Sequence, residues 1–245
     1  MIGLFTDFGI LGPYLGQVRI VLQQQAPNIP VVNLMADAPR FSPHASAHLL
    51  AALGQHLPPG TVVFAVVDPG VGSSDREPVI VCADDRWYVG PGNGLFDVVM
   101  GRSLTAALWR ITWRPPSLSA TFHGRDLFAP VVAKLARVEN PRSEEFLGQR
   151  WDEAVVTKDP GDLEEIIYID HYGNAMMGIC GTKFRRGHVQ LLNGDLISAA
   201  QTFSDVDMGD AFWYVNSLGL IEIAVNQGCA AELFKLDVGV PIKFI

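Results

Sequence analysis

TVVFAVVDPGVG, residues 61–72, is a run of nearly pure apolar β-former that stops at Asp68 and turns into a Pro-Gly-Val-Gly loop. Its length and composition read as a buried strand, with a carboxylate at its tip. Before it, SPHASAHLLAALGQHLPPG reads as a helix, with Ser42 as N-cap, Pro43 in the first turn and Pro-Pro-Gly as the stop. Further upstream, IPVVNLM reads as a strand, GPYLGQVRIVLQQQAP as a helix and IGLFTDF as a first strand breaking at Asp7. Downstream, VIVCADDRWYVG reads as a hairpin arm. DLFAPVVAKLARVE reads as a helix with an acidic start and later basic residues, as the helix dipole favours. Such alternation predicts an α/β sandwich with a largely parallel central sheet over residues 1–140.

Polar text containing Pro and Gly (NPRSEEF, TKDPGD) predicts a linker at 141–163. Beyond it, EEIIYID, GHVQLLN, AFWYVNS, GLIEIAVN and VPIKFI read as short strands separated by turn signals. That spacing predicts a smaller antiparallel barrel or sandwich over 164–245.

Composition narrows the functional classes. Hydrophobic content of 49% with 18% charged residues is ordinary for a globular protein. A formal net charge of −8 argues against a nucleic-acid partner, which needs clustered Lys and Arg. The apolar runs are too short to span a membrane, and Met1-Ile2-Gly3-Leu4 lacks the basic start of a secretory leader. Cys82, Cys180 and Cys229 are scattered without a CxxC pair, so buried reduced thiols and a cytoplasmic setting are expected.

Open α/β sheets bind ligands beyond the carboxyl ends of their strands. TDFG (6–9), DAPRF (37–41), DPGVG (68–72) and GPGNG (90–94) fall there, and TFHGRD (121–126) precedes a helix. None matches a phosphate-binding fingerprint. Asp7 either caps the next turn or accepts both hydroxyls of a ribose. Asp68 either forms an Asx-turn or orients a nucleophile. His123 is either a structural helix-entry residue or an acid/base group. Arg76 and Arg125 are either surface residues or partners that polarise an oxygen nucleophile. His44 and His48 lie four apart on the predicted helix, but without a third ligand they read as a solvated or interfacial face. Asp84 and Asp85 read as hairpin-turn residues, and Trp87, Trp109, Trp113 and Phe122 as core. In the second part, Asp170, Tyr172 and Asn174 within YIDHYGNAMMG (168–178) form a turn that also offers an acceptor, an aromatic face and an amide. Residue by residue, this reaches a polar, metal-poor cleft and no named reaction.

The ordered set decides more. TDFG, VVDPGVG with an arginine soon after, GPGNGLF, TFHGRDLFAPVVA, IDHYGN and NSLGLIEIAVNQG together resemble the S-adenosyl-L-methionine hydroxide adenosyltransferase family, relatives of the 5′-fluorinase and chlorinase enzymes. The resemblance spans essentially the whole chain. It implies an α/β N-terminal domain, a C-terminal β-barrel and a homotrimer whose active sites lie between the N-terminal domain of one subunit and the C-terminal domain of its neighbour. It also implies hydrolysis of S-adenosyl-L-methionine to adenosine and L-methionine, without metal or redox cofactor. By position, Asp7 matches the ribose-binding aspartate, and Asp68, Arg76 and His123 match the set that marks the hydrolytic members. Asp170, Tyr172 and Asn174 match the loop that holds the methionine end and packs on adenine, and Ser217 matches the stretch that meets both. Two details depart from the family pattern. Asp75 occupies the usual arginine slot, with Arg76 one residue later, and the loop after Ala38 reads Pro39-Arg40-Phe41, so Phe41 stands one place beyond the usual aromatic.

This assignment suits the chemistry. A sulfonium leaves as a neutral thioether, so the difficult part is the nucleophile: bulk water has a pKa of about 15.7. The rival readings are a 5′-halogenase, which a carboxylate at position 68 opposes by repelling halide, and a non-catalytic adenosine or S-adenosylmethionine sensor, which would not need Asp68, Arg76 and His123 together.

Overall fold

Val62–Val66 forms β3, buried at every position, because a strand covered on both faces needs no polar alternation. The computed structural model describes residues 1–73, 76–137, 160–181 and 187–245. Within these the chain divides into two units, Met1–Pro160 and Gly161–Ile245. Most of the linker expected at 141–163 lies outside the described residues.

In the first unit, β1 (Ile2–Thr6) runs parallel to β3, and β2 (Val31–Met35) runs parallel to β1. On its other side β3 pairs in parallel with β5 (Arg86–Pro91). β5 forms an antiparallel hairpin with β4 (Pro78–Ala83), and β4 pairs antiparallel with β6 (Ala106–Arg110). The order is β2-β1-β3-β5-β4-β6. The sheet is therefore mixed: parallel from β2 to β5, as expected, with an antiparallel margin. Asp84 and Asp85 turn the hairpin, both with positive φ (45° and 60°), the conformation a tight turn of this hand requires.

Helices cover both faces. α1 (Tyr14–Gln25) and α4 (Ala129–Ala136) share one core with the sheet, where Val18, Leu22, Val132 and Leu135 meet Ile2, Leu4, Phe64 and Val89. α2 (Pro43–Gly54) and α3 (Asp97–Arg102) pack on the other face. There Tyr88, alternating with core-facing Trp87 and Val89, aims its hydroxyl at Gly54, 2.6 Å from where a Cβ would stand. Ser42 caps α2, accepting from the Ala45 amide at 3.3 Å, with Pro43 behind it. Two sequence expectations fail here. His48, read with His44 as part of a solvated or interfacial face, is not solvated but 1% exposed, because both sides of α2 meet protein of its own chain. Trp113, read as core, is 44% exposed because it follows β6 into an irregular stretch; Trp87 and Trp109 do stack, at 5.7 Å.

The second unit holds two antiparallel sheets. One, in the order β11-β12-β8-β7, comprises β7 (Leu163–Ile169), β8 (Ala175–Cys180), β11 (Ala211–Val215) and β12 (Leu220–Val225). The other, in the order β10-β9-β13, comprises β9 (His188–Gln190), β10 (Leu196–Ser198) and β13 (Lys243–Phe244). Ile166, Met177 and Ile223 from the first join Val189, Ile197 and Ile242 from the second in one core. Among the described residues no continuous ladder closes the sheets into a barrel; single bridges, Glu165–Pro241 and Ala199–Trp213, link their margins. β9, β10 and β13 are too short to do more. Cys82 is buried, Cys180 and Cys229 are half-buried, and all three are thiols.

Candidate active site

The chain leaves β1 through α1 to reach β2 on one side, then recrosses through α2 to reach β3 on the other. The reversal opens a crevice at the carboxyl ends of β1 and β3, the place where such sheets bind ligands. Asp7 directly follows β1, and Asp68 stands two residues beyond β3.

Asp68 is almost enclosed, with 8% of its side chain exposed, and its Oδ1 accepts from Nη1 of Arg76. The intervening loop explains how Arg76 returns. Gly70 leaves room for it, since a Cβ there would stand 2.9 Å from Nη2. Thus the residue one place beyond the family spacing supplies the partner, while Asp75 lies outside the described residues. Gly72, at φ +89°, brings the loop against the carbonyl of Ala120, which would lie 2.7 Å from an added Cβ. Asn93 donates to the Val67 carbonyl at 2.9 Å and ties the GPGNG loop to the same strand end.

The segment pressed by Gly72 delivers His123. It immediately precedes a π-helical turn, Gly124–Phe128, that runs into α4. Wide turns of this kind gather at functional sites. Asp68, Arg76, Glu77, Arg114 and His123 line one cavity of about 230 Å³. Burial, then the charges of Arg114 and Arg76, hold His123 below the usual histidine range, against a smaller opposing effect of Asp126. The imidazole is therefore neutral at pH 7 and able to accept a proton. A carboxylate, a guanidinium and a neutral imidazole in one small cavity can orient an oxygen nucleophile and take up its proton. Arg125 serves structure instead: it donates to Asp126 at 2.6 Å and to Gln17 at 2.8 Å, and lies over the Phe122 ring.

Asp7 and Phe41 come together at the end of β1, outside the lining of this cavity. Burial raises the Asp7 carboxyl, while the Phe41 amide and the Arg40 charge oppose the rise. The Ala38 amide donates to Thr6 at 3.0 Å and the Gly9 amide to Ala36 at 2.6 Å, which curls the 37–41 loop over the β1 end. Phe41 adopts φ 59° and its ring is 76% exposed.

In the second unit Asp170 builds its own turn: Oδ1 accepts the amides of Tyr172 and Asn174 at 2.9 Å, and Oδ2 accepts Nδ2 of Asn174 at 3.1 Å. Asp170, Tyr172, Asn174, Phe203, Tyr214 and Gln227 line a cavity of about 470 Å³. Ser217 lies in the exposed turn between β11 and β12, outside that lining. Sequence reasoning missed Arg114, which reads as one of several arginines in a loop. It also missed Glu222, a carboxylate in an apolar strand, although that was the signal that singled out Asp68.

Comparison with known proteins follows the same division. The SAM hydroxide adenosyltransferase N-terminal domain matches residues 2–144, and the C-terminal domain of that name matches residues 164–243. A protein named (R)-S-adenosyl-L-methionine hydrolase from Thermus thermophilus is 34% identical, over 98% of this chain and 97% of its own. A protein named fluorinase from Actinoplanes sp. is 23% identical, over 99% and 96%. A crystal structure of an uncharacterized conserved protein from Thermotoga maritima superposes with a TM-score of 0.88 at 30% identity, covering 100% of this chain and 99% of the other.

Proposed function

The chain belongs to the SAM hydroxide adenosyltransferase family, and from that premise we propose how its residues divide the work of hydrolysing S-adenosyl-L-methionine. Water, formally hydroxide, attacks C5′ in line with the sulfonium. The C5′–S bond breaks with its electron pair going to sulfur, and adenosine and L-methionine leave. Asp68 orients the attacking water, His123 takes its proton, and Arg76 stabilises the charge that develops on its oxygen. The observation that carries this assignment is the pairing of a nearly buried Asp68 with Arg76 in the same small cavity as a neutral His123. Since the leaving thioether is neutral, no acid is needed at sulfur, and the proposed reaction uses no metal or redox cofactor.

Substrate binding is assigned to both units. Asp7 accepts the ribose hydroxyls, with Phe41 over the sugar. Asp170, Tyr172, Asn174 and Ser217 receive the methionine end and the adenine. The proposed assembly is a homotrimer in which domain 1–140 of one copy and domain 164–245 of the next complete each site. The second domain is read as a small barrel stitched by its two marginal bridges.

Incubation with S-adenosylmethionine in chloride buffer tests the reaction. Adenosine and L-methionine in equal amounts, undiminished by EDTA, are expected. Preferential formation of 5′-chloro-5′-deoxyadenosine would overturn the assignment in favour of a halogenase.

A further inference from the structure

Glu222 is 2% exposed in β12, between Ile221 and Ile223 of the core. Burying a carboxylate is unfavourable unless its lone pairs are satisfied, and here they are. Tyr214 donates its hydroxyl to Oε1 at 2.6 Å, and Asn216 donates Nδ2 to Oε2 at 2.5 Å. The side-chain amide of Asn174 lies near enough to favour the charged form of this carboxylate. That amide donates to Asp170 at 3.1 Å, which ties the 170–174 turn to the surroundings of Glu222.

The two donors and Asn174 belong to three segments. Asn174 and Tyr214 line the 470 Å³ cavity. Asn216 begins the turn that carries Ser217, and its Oδ1 accepts the amides of Leu218 and Leu220 at 2.9 and 3.0 Å. A single buried side chain thus holds the wall of the cavity and the β11–β12 turn and stands beside Asn174 of the 170–174 loop. A neutral isostere offers one acceptor oxygen in place of two and reverses the polarity of the other contact. Asp170, which lines the cavity, gives this end an acidic character that suits an α-ammonium group.

We propose that Glu222 is a positioning residue, acting through Asn174, Tyr214 and Asn216, that gives the enzyme its preference for a sulfonium bearing a free amino-acid arm. The inference rests on the preceding assignment of this cavity to the methionine end.

The test compares wild type, Glu222→Gln and Glu222→Asp on two substrates: S-adenosylmethionine and 5′-deoxy-5′-dimethylsulfonioadenosine, in which a methyl group replaces the amino-acid arm. In Glu222→Gln the KM for S-adenosylmethionine should rise about tenfold with kcat little changed, a loss confined to binding. The kcat/KM for the truncated sulfonium should stay level, so the preference between the substrates shrinks by the same factor. Glu222→Asp should recover part of it. A merely structural role moves both substrates together, and an unchanged preference overturns the proposal. If the wild type hydrolyses neither substrate, the hydrolase reading fails by itself. Calorimetric titration of L-methionine into the wild type and Glu222→Gln then decides this one: weaker binding in the variant supports it, and equal or absent binding overturns it.

Discussion

Asp68 and His123 make different demands on the same water, and their substitutions should separate accordingly. Asp68→Ala removes the orienting carboxylate and leaves the ribose and methionine contacts in place. Turnover should fall by roughly 10² or more, the range for a lost acid/base or electrostatic group, while S-adenosylmethionine affinity by calorimetry stays within a few-fold. Turnover equal to wild type would remove Asp68 from the mechanism. His123 acts as the neutral base, and burial with two neighbouring arginines lowers its pKa. A lowered pKa moves the protonated form to lower pH, so kcat/KM should be flat between pH 7 and 8. It should decline only as the pH falls below the ordinary histidine value of about 6.5. A midpoint above 7 would contradict a base kept neutral. The two residues were not equally readable in the chain. A carboxylate ending an apolar strand announces itself, and Asp68 did. The lowered pKa of His123 comes first from burial and then from Arg114, nine positions away in an irregular segment whose return to the cavity no local pattern encodes. Glu222 stayed hidden for a related reason: Asn174, Tyr214 and Asn216 around it come from two turns and a neighbouring strand, and only strand pairing brings them together.

The DPGVG loop and the segment before α4 form a second level of control, because each shapes the path of the other. Gly70 and Gly72 lie two residues apart and should respond differently to the same methyl group. At Gly70 the obstacle is the tip of the Arg76 side chain, 2.9 Å from the added Cβ, which can swing away. Gly70→Ala should therefore keep a near wild-type melting temperature and lose up to about 10²-fold in kcat, the order expected when one catalytic group is misplaced. At Gly72 the obstacle is the backbone carbonyl of Ala120 at 2.7 Å, and φ is +89°. Gly72→Ala should destabilise by about 1–3 kcal/mol and shift the segment that carries His123. Gly60→Ala is the control: φ is +79° with nothing within 4 Å, so only backbone strain of about 1 kcal/mol is added. Equal melting temperatures for the 70 and 72 variants in thermal denaturation would refute this distinction. Among the elements, strands and helices with strong patterning were readable, including β3, α2 and the Asp84-Asp85 hairpin. β8 was not, because AMMGIC carries a single β-branched residue and follows turn text, yet it is an inner strand of its sheet. Its strand character comes from pairing with β7 and β12, a tertiary effect that local propensity does not contain.

The proposed set of residues is distributed over the whole chain: nucleophile chemistry and ribose in the first unit, the methionine end in the second. Parts kept in separate units can meet within one copy or between copies, and the homotrimer proposed above brings them together between copies. This arrangement has a consequence that one-chain catalysis lacks. Asp68→Ala inactivates the first unit of its copy, and Asp170→Ala disables the second unit of its own. Neither trimer alone should turn over appreciably. When the two variants are unfolded together and reassembled, some sites combine the intact first unit of one copy with the intact second unit of its neighbour. Random pairing in a closed ring should return about a quarter of the wild-type sites. Light scattering coupled to size-exclusion chromatography reads the assembly, and adenosine release reads the recovered sites. A monomer, or a trimer whose mixture stays as inactive as its components, would confine each site to a single chain. The Asp68–Arg76–His123 assignment would survive that result, since those three residues share one unit, while the shared-site reading would fall.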